Sequence, residues 1–186
     1  VIADKARETG FDLRNCTVKK AVCIGEPIRD RDLTLNASGR AIKSAWDARV
    51  YSTYGVTELA NSLCECDAGA GGHLHAGQLH LEILDDLGQP VADGEVGEVV
   101  ATTFGVEGMP LIRYRTGDCA ALFRALCKCG RTSPRLGAIV GRKNQKLKFK
   151  GTSLFPSMLA AVLEAAEGVE MFVIVARKEN ELSDAI

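Results

Sequence analysis

The sequence lacks any long apolar run. Stretches such as residues 171–176 fall far short of the ~20 consecutive apolar residues that a membrane-spanning helix needs. It lacks the basic, apolar and small-residue succession of a secretory leader, so a cytoplasmic setting without membrane contact is expected. It lacks an excess of base: 23 Lys and Arg stand against 24 Asp and Glu, for a net charge of −1. A nucleic-acid partner, which would need a basic footprint, is therefore not expected. Aromatic residues make up only 5% of the chain, so a core has to be built from Val, Leu, Ile and Ala. Internal repeats and low-complexity tracts are also missing. What remains is the composition of a globular protein, 46% hydrophobic and 25% charged over 186 residues, enough for one domain of ordinary size.

Patterning predicts a mixed α/β fold. Residues 3–9 have helix-compatible composition and Gly10 is a natural stop. Residues 20–24 read as a short buried strand ending in the Gly25-Glu26-Pro27 turn. Leu33, Leu35, Ala41, Ala45 and Trp46 recur at near-helical spacing and predict a helix within 30–48, interrupted at Gly39. A second strand is expected over 50–53, broken by Tyr54-Gly55. Residues 78–85 alternate, with Leu79, Leu81 and Ile83 on one face, and 98–103 return as the other half of a hairpin. Strands over 109–114 and 120–126 would complete a small antiparallel β unit. After Gly141 the character changes. Residues 146–149 alternate, and Pro156 suits the first turn of a helix that Gly168 ends. Leu159, Val162, Leu163 and Ala166 would be its apolar face, and 171–176 read as a buried strand. Arg142, Lys143, Lys146, Lys148 and Lys150 form an interrupted basic cluster that reads as a solvated strand face.

Three short segments carry potential chemistry. Tyr54-Gly55-Val56-Thr57-Glu58 follows a strand, Tyr114-Arg115-Thr116-Gly117-Asp118 follows another, and Gly141-Arg142 precedes a polar run and Gly151. Each alone could be an ordinary turn. Their order and separation, with Gly25-Glu26-Pro27 ahead of them, resemble the later core motifs of the adenylate-forming, AMP-binding superfamily. Cys64-Glu65-Cys66, Met109-Pro110-Leu111-Ile112-Arg113-Tyr114-Arg115, Cys127-Lys128-Cys129-Gly130-Arg131 and Phe155-Pro156-Ser157 narrow the resemblance to the phenylacetate–coenzyme A ligase family. It runs from about Val18 to Ala176.

The resemblance implies an ATP-dependent ligase that makes an acyl-adenylate from an aromatic carboxylate and passes the acyl group to coenzyme A. It implies roles for particular residues, and each role suits its residue type. Gly55 and Thr57 would offer small, N–H-rich backbone to phosphate. Glu58 would hold magnesium, a hard cation that keeps several waters and needs few carboxylates. Asp118 would accept the two hydroxyls of a ribose. Arg142 would fork onto phosphate or ribose oxygens. Gly25, Glu26, Pro27 and Tyr54 would line the adenine slot, and Gly151 would let the pantetheine arm pass. A hinge would fall at Lys143, Asn144 and Gln145, where the family often has an aspartate that this sequence lacks. A homodimer is also implied.

Seven cysteines, an odd number in a regular chain of this length, do not suit a disulfide scaffold. Cys16, Cys23 and Cys119 sit singly among apolar residues and read as small core hydrophobes. Cys64, Cys66, Cys127 and Cys129 form two Cys-x-Cys pairs. With a histidine they could make a closed tetrahedral zinc site, or they could be reduced, partly buried thiols. His80 alternates with Leu79 and Leu81 and should face solvent. Family-like Gly72-His73 and Glu65-Cys66 favour Cys66, His73, Cys127 and Cys129 as the set.

The expected architecture places residues 1–141 in the later part of a large AMP-binding domain with a β subdomain. Residues 142–186 would be the hinge and an incomplete small C-terminal domain. Val1 at the start and residues 183–186, which close no element, suggest a piece of a longer chain. The family's phosphate loop and its late catalytic lysine have no counterpart in this sequence, Lys178 being too early, so the piece alone should not turn over. Two alternatives stay open. One is an adenylating relative with a different acceptor. The other is a non-catalytic, zinc-stapled module.

Overall fold

The structure, a computed structural model, describes residues 2–59, 61–149, 152–164, 166–169, 171–178 and 184–185. Gly151, assigned to the pantetheine arm, and Lys150 lie outside the described residues. The chain opens with helix α1 (Ile2–Glu8). A β–α–β unit follows: strand β1 (Lys20–Ile24), helix α2 (Ala37–Trp46) and strand β2 (Arg49–Val56). The helix crossover lets β1 and β2 run parallel, with Ile24 opposite Thr53. Strand β3 (Asn61–Cys64) returns antiparallel on β2, giving the order β1-β2-β3.

The second sheet is larger. Strands β4 (Gly72–His73), β5 (Leu79–Leu84), β6 (Val96–Thr103), β7 (Tyr114–Phe123) and β8 (Arg135–Leu136) lie in the order β4-β8-β7-β6-β5, and β9 (Gly141–Arg142) pairs with β7. Two short hairpins complete the strands, β10 (Leu147–Phe149) with β11 (Thr152–Leu154) and β12 (Arg177–Lys178) with β13 (Asp184–Ala185). Helix α3 (Pro156–Glu164) lies between the hairpins in sequence. The alternation of Leu79, Leu81 and Ile83 builds the main core. These side chains pack with Val99, Ala101, Ala120 and Leu122 of the same sheet. Leu59 and Leu63, from the first sheet's side, join the same cluster, so one apolar core welds the two sheets. Burying a leucine of this kind contributes about 1.5–3 kcal/mol.

Helix α2 is shorter than the predicted span because Asn36 caps it. Its side-chain oxygen accepts from the Gly39 N–H at 2.9 Å, and its Nδ2 donates to the Pro27 carbonyl at 2.8 Å. One side chain therefore starts the helix and fixes the Gly25-Glu26-Pro27 turn to it. Gly39 does not interrupt the helix. It is the point where the helix touches the preceding loop, since a Cβ there would lie 2.5 Å from the Ile28 carbonyl oxygen. Gly39→Ala should cost about 1–3 kcal/mol through that overlap with backbone, read as a lowered urea midpoint.

Several expectations are corrected. Strand β2 runs on through Tyr54-Gly55, because β3 pairs with it as far as Val56 and Asn61. Residues 109–113 make no strand. Instead β7 is continuous from Tyr114 to Phe123, and Thr116, Gly117 and Asp118 together stand opposite Val99. The Thr-Gly-Asp segment is thus a bulge inside a strand, with Gly117 at φ +77°. Strand β1 is not buried: Val22 and Ile24 are each 63% exposed. Residues 171–176 form no ladder, and Met171 and Val173 are exposed. Helix α3 stops at Glu164, ahead of Gly168. The basic cluster is not simply solvated, because Lys143 Nζ lies 2.9 Å from buried Glu98 and Lys146 Nζ 2.9 Å from Asp86. Of the three single cysteines only Cys119 is buried; Cys16 and Cys23 are half-exposed.

Candidate functional site

The β1–β2 pairing decides where the first motifs meet. Because Ile24 stands opposite Thr53 in parallel register, Gly25 and Tyr54 leave the pair side by side at its C-terminal end. In open parallel sheets this is the end where ligands bind. Tyr54 then reaches across to the second sheet and its hydroxyl donates to Asp118 Oδ2 at 3.0 Å. The bulge in β7 presents Asp118, whose own N–H donates to Thr116 Oγ1 at 3.1 Å. Strand β9 pairs with β7 so that Arg142 lies beside Asp118, and Arg142 Nε approaches Asp118 Oδ1 at 3.3 Å.

Tyr54, Asp118 and Arg142, far apart in sequence, are therefore one cluster. Asp118 is only 5% exposed, and an ionised carboxylate so placed needs partners. Two are supplied here, and its remaining lone pairs stay available to further donors. Arg142 is largely exposed, so its fork can turn without breaking packing. Glu58 sits on the 3-10 turn Thr57–Leu59, exposed, where it accepts from the Tyr114 hydroxyl at 3.4 Å. Thr57 is exposed on the same turn. Glu26 and Pro27 are exposed and line a cleft of about 920 Å³, whose other walls include Asn36, Glu98, Lys143 and Phe155. No hydrogen bond between Glu26 and the Asp118 cluster is found among the described residues. Gly141 packs onto the Phe155 ring, and Ser157 Oγ donates to the Val140 carbonyl at 2.8 Å, so the Gly-Arg and Phe-Pro-Ser segments touch.

Burial pushes the Tyr54 phenol above its ordinary value of 10.0, and the adjacent Asp118 carboxylate adds to the rise. Tyr54 is therefore a neutral donor at any ordinary pH. A value raised on folding gives stability that is complete below pH 10 and is lost as pH rises through the folded value. The unfolding free energy should fall above about pH 10, and Tyr54→Phe should flatten that fall. Some slope will remain, because burial also raises the Cys119 thiol above 9.0. Urea midpoints across the alkaline range would check this.

A second cluster lies where the segment after β3 meets the segment between β7 and β8. Cys66, His73, Cys127 and Cys129 place their ligand atoms all within 4.8 Å of one another. Cys66 Sγ is 3.6 Å from Cys127 Sγ, and Cys129 Sγ is 3.5 Å from His73 Nε2. In a tetrahedral zinc site with a Zn–S bond of about 2.3 Å the sulfurs would stand about 3.8 Å apart. The donor set thus fits zinc. His73 Nδ1 is 3.0 Å from Ser133 Oγ, which fixes the ring so that Nε2 faces the sulfurs. Burial, with Arg131 and Arg135 nearby, lowers the His73 value and keeps the ring neutral. Cys64 is exposed and accepts instead from Thr53 Oγ1 at 3.4 Å, and His75 and His80 are exposed.

Sequence reasoning missed Glu65, Tyr114 as a partner of Glu58, Ser133 and the cleft. Glu65 sits between two cysteines whose chemical signal is stronger. Its side chain is 2% exposed, pairs with Arg29 and accepts the Ser52 N–H at 2.9 Å. Ser133 carries no spacing signal, and the cleft's walls come from segments remote in sequence.

No family model matches the sequence. The phenylacetate–coenzyme A ligase of Thermus thermophilus is 33% identical over 189 residues, covering 99% of this chain and 41% of that protein. The protein of the same name from Escherichia coli is 31% identical over 163 residues, covering 86% of this chain and 35% of its own length. Among solved structures, a 2-hydroxyisobutyryl-CoA ligase in the postadenylation state with R3-HIB-AMP superposes with a TM-score of 0.77 at 26% identity. That match covers 90% of this chain and 35% of the other. In sequence the chain is similar to phenylacetate–coenzyme A ligases and in fold to an AMP-forming acid–CoA ligase, and it spans about two-fifths of the length of the curated relatives it matches.

Proposed function

We propose that the chain is the later part of an ATP-dependent acid–coenzyme A ligase that activates an aromatic, phenylacetate-like carboxylate. The observation that supports this reading most is the Tyr54–Asp118–Arg142 cluster at the C-terminal end of the β1–β2 pair, beside the Gly25-Glu26-Pro27 turn. In this reading the adenine lies between that turn and Tyr54, and Asp118 accepts from the ribose hydroxyls. Arg142 forks onto ribose or phosphate oxygens. Gly55 and Thr57 face the α-phosphate, and Glu58 holds magnesium, which supplies charge neutralisation to the phosphates when bound. Residues 1–141 belong to the large domain and 142–186 to the small one, with the pivot at Lys143–Gln145. Gly151 borders the path of the pantetheine arm.

The reaction has two steps. A carboxylate oxygen of the substrate attacks the α-phosphorus, and the bond to pyrophosphate breaks. The thiol sulfur of coenzyme A, losing its proton, then attacks the acyl carbon, and AMP leaves. The contribution of these residues is positioning and charge placement, which act strongly in a site built in advance. A zinc ion at Cys66, His73, Cys127 and Cys129 would be structural, since all four positions are filled by protein. The enzyme works in the cytoplasm on small molecules, and a homodimer is its expected form. In a pyrophosphate-exchange assay, the 186-residue chain should show no carboxylate-dependent incorporation into ATP, whereas the longer ligase that carries it should. Exchange by the chain alone, or none by the longer protein with any aromatic acid, would contradict the reading.

A further inference from the structure

The four-ligand cluster joins two loops. Cys66 and His73 belong to residues 65–73, between β3 and the end of β4; Cys127 and Cys129 belong to residues 124–134, between β7 and β8. Arg135 joins the same two loops independently. Its Nη1 donates to the Ala70 carbonyl at 2.8 Å and its Nη2 to the Ala125 carbonyl at 2.9 Å. This residue is 7% exposed, yet its guanidinium has no carboxylate partner among the described residues, and its Nε is buried without a hydrogen-bond acceptor. A buried cation with only carbonyl partners is costly unless a compensating charge lies nearby.

Zinc would supply that charge. Three thiolates and a neutral imidazole around a dication leave one net negative charge on the centre. We propose that the cluster is an anionic zinc staple whose counter-ion is Arg135, and that it locks the loop after β3 to the loop after β7. The inference rests on the zinc assignment above and is independent of the ligase reading. Its consequence reaches the Tyr54–Asp118 pair. Strand β3 pairs Leu63 with Tyr54 on β2, and β7 carries Asp118. The staple thus ties together the strands on either side of the Tyr54–Asp118 hydrogen bond. On metal binding three thiols give up their protons, so occupancy is also tied to pH.

The test uses the 186-residue chain as purified. Elemental analysis should find about one zinc per chain, and replacement by cobalt(II) should give the intense visible absorption of a tetrahedral, thiolate-bound ion. Less than about a tenth of an equivalent after refolding in excess zinc, or an octahedral cobalt spectrum, overturns the zinc assignment. Cys64→Ser should keep the metal and Cys129→Ser should lose it; the reverse overturns the ligand set. Arg135→Gln should weaken zinc at least tenfold in competition with a chromophoric chelator, about 1.4 kcal/mol by that ratio. Unchanged affinity overturns the counter-ion role even if zinc is present. Should Arg135→Gln fail to fold, hydrogen exchange on the wild-type chain decides the staple. Stripping zinc should raise exchange in β3 and β7 together, and unchanged protection there overturns it.

Discussion

Glu65→Ala should destabilise the chain by about 3–5 kcal/mol, the cost of removing one member of a buried ion pair. The Glu65 side chain is 2% exposed and that of its partner Arg29 12%, so little solvent is present to screen the orphaned guanidinium. The glutamate also satisfies the Ser52 N–H of β2, and that group would lose its acceptor. Arg29 follows the Gly25-Glu26-Pro27 turn closely and also donates to the Leu33 carbonyl at 2.7 Å. The substitution should therefore loosen the turn as well as the sheet. Glu65→Gln, which can still accept from Ser52, should cost less than Glu65→Ala. Urea unfolding of both variants is the check, and a loss below about 1 kcal/mol for Glu65→Ala would place the pair among weak surface contacts.

Asp118→Ala should weaken ATP binding to the longer ligase by about 10- to 100-fold, since a hydrogen bond to a charged acceptor contributes about 1.5–3 kcal/mol. The fold should survive, because Arg142 is exposed enough to be solvated without its partner and the Tyr54 ring keeps its packing against the core cluster. Tyr54→Phe removes only the hydroxyl that orients the carboxylate, so its effect on affinity should be several-fold smaller. Calorimetric titration with ATP, beside a thermal melt of each variant, separates lost binding from lost structure. Equal affinity for Asp118→Ala and the wild type would remove Asp118 from the nucleotide site.

The parts legible in the sequence are those with local causes. The alternation of Leu79, Leu81 and Ile83 reveals the β5–β6 hairpin, because a strand with one buried face must alternate. Pro156 marks the first residue of α3. The motif residues Tyr54 and Asp118 both stand out, but their contact does not, since it depends on a parallel register and a bulge that no short window contains. The bulge itself reads as a turn because Thr-Gly-Asp has turn composition in either setting. Asn36 shortens α2 through a cap whose second bond, to Pro27, is tertiary. Residues 171–176 show the opposite failure. Six apolar residues in a row satisfy every local criterion for a buried strand, yet they form no ladder here. Burial is set by what packs against a segment, which the segment's own sequence does not state.

The proposed function gives Tyr54, Asp118 and Arg142 the task of holding the nucleotide in a ligase that adenylates an aromatic acid and transfers the acyl group to coenzyme A. The most direct test incubates the longer ligase with ATP, magnesium and a panel of aromatic and aliphatic carboxylates, with and without coenzyme A, and identifies the products by mass. A coenzyme A thioester of an arylacetate, formed together with AMP and reduced by Asp118→Ala, is the expected result. An adenylate that accumulates untouched by coenzyme A would move the protein to another acceptor, and no adenylate with any acid would contradict the reading outright.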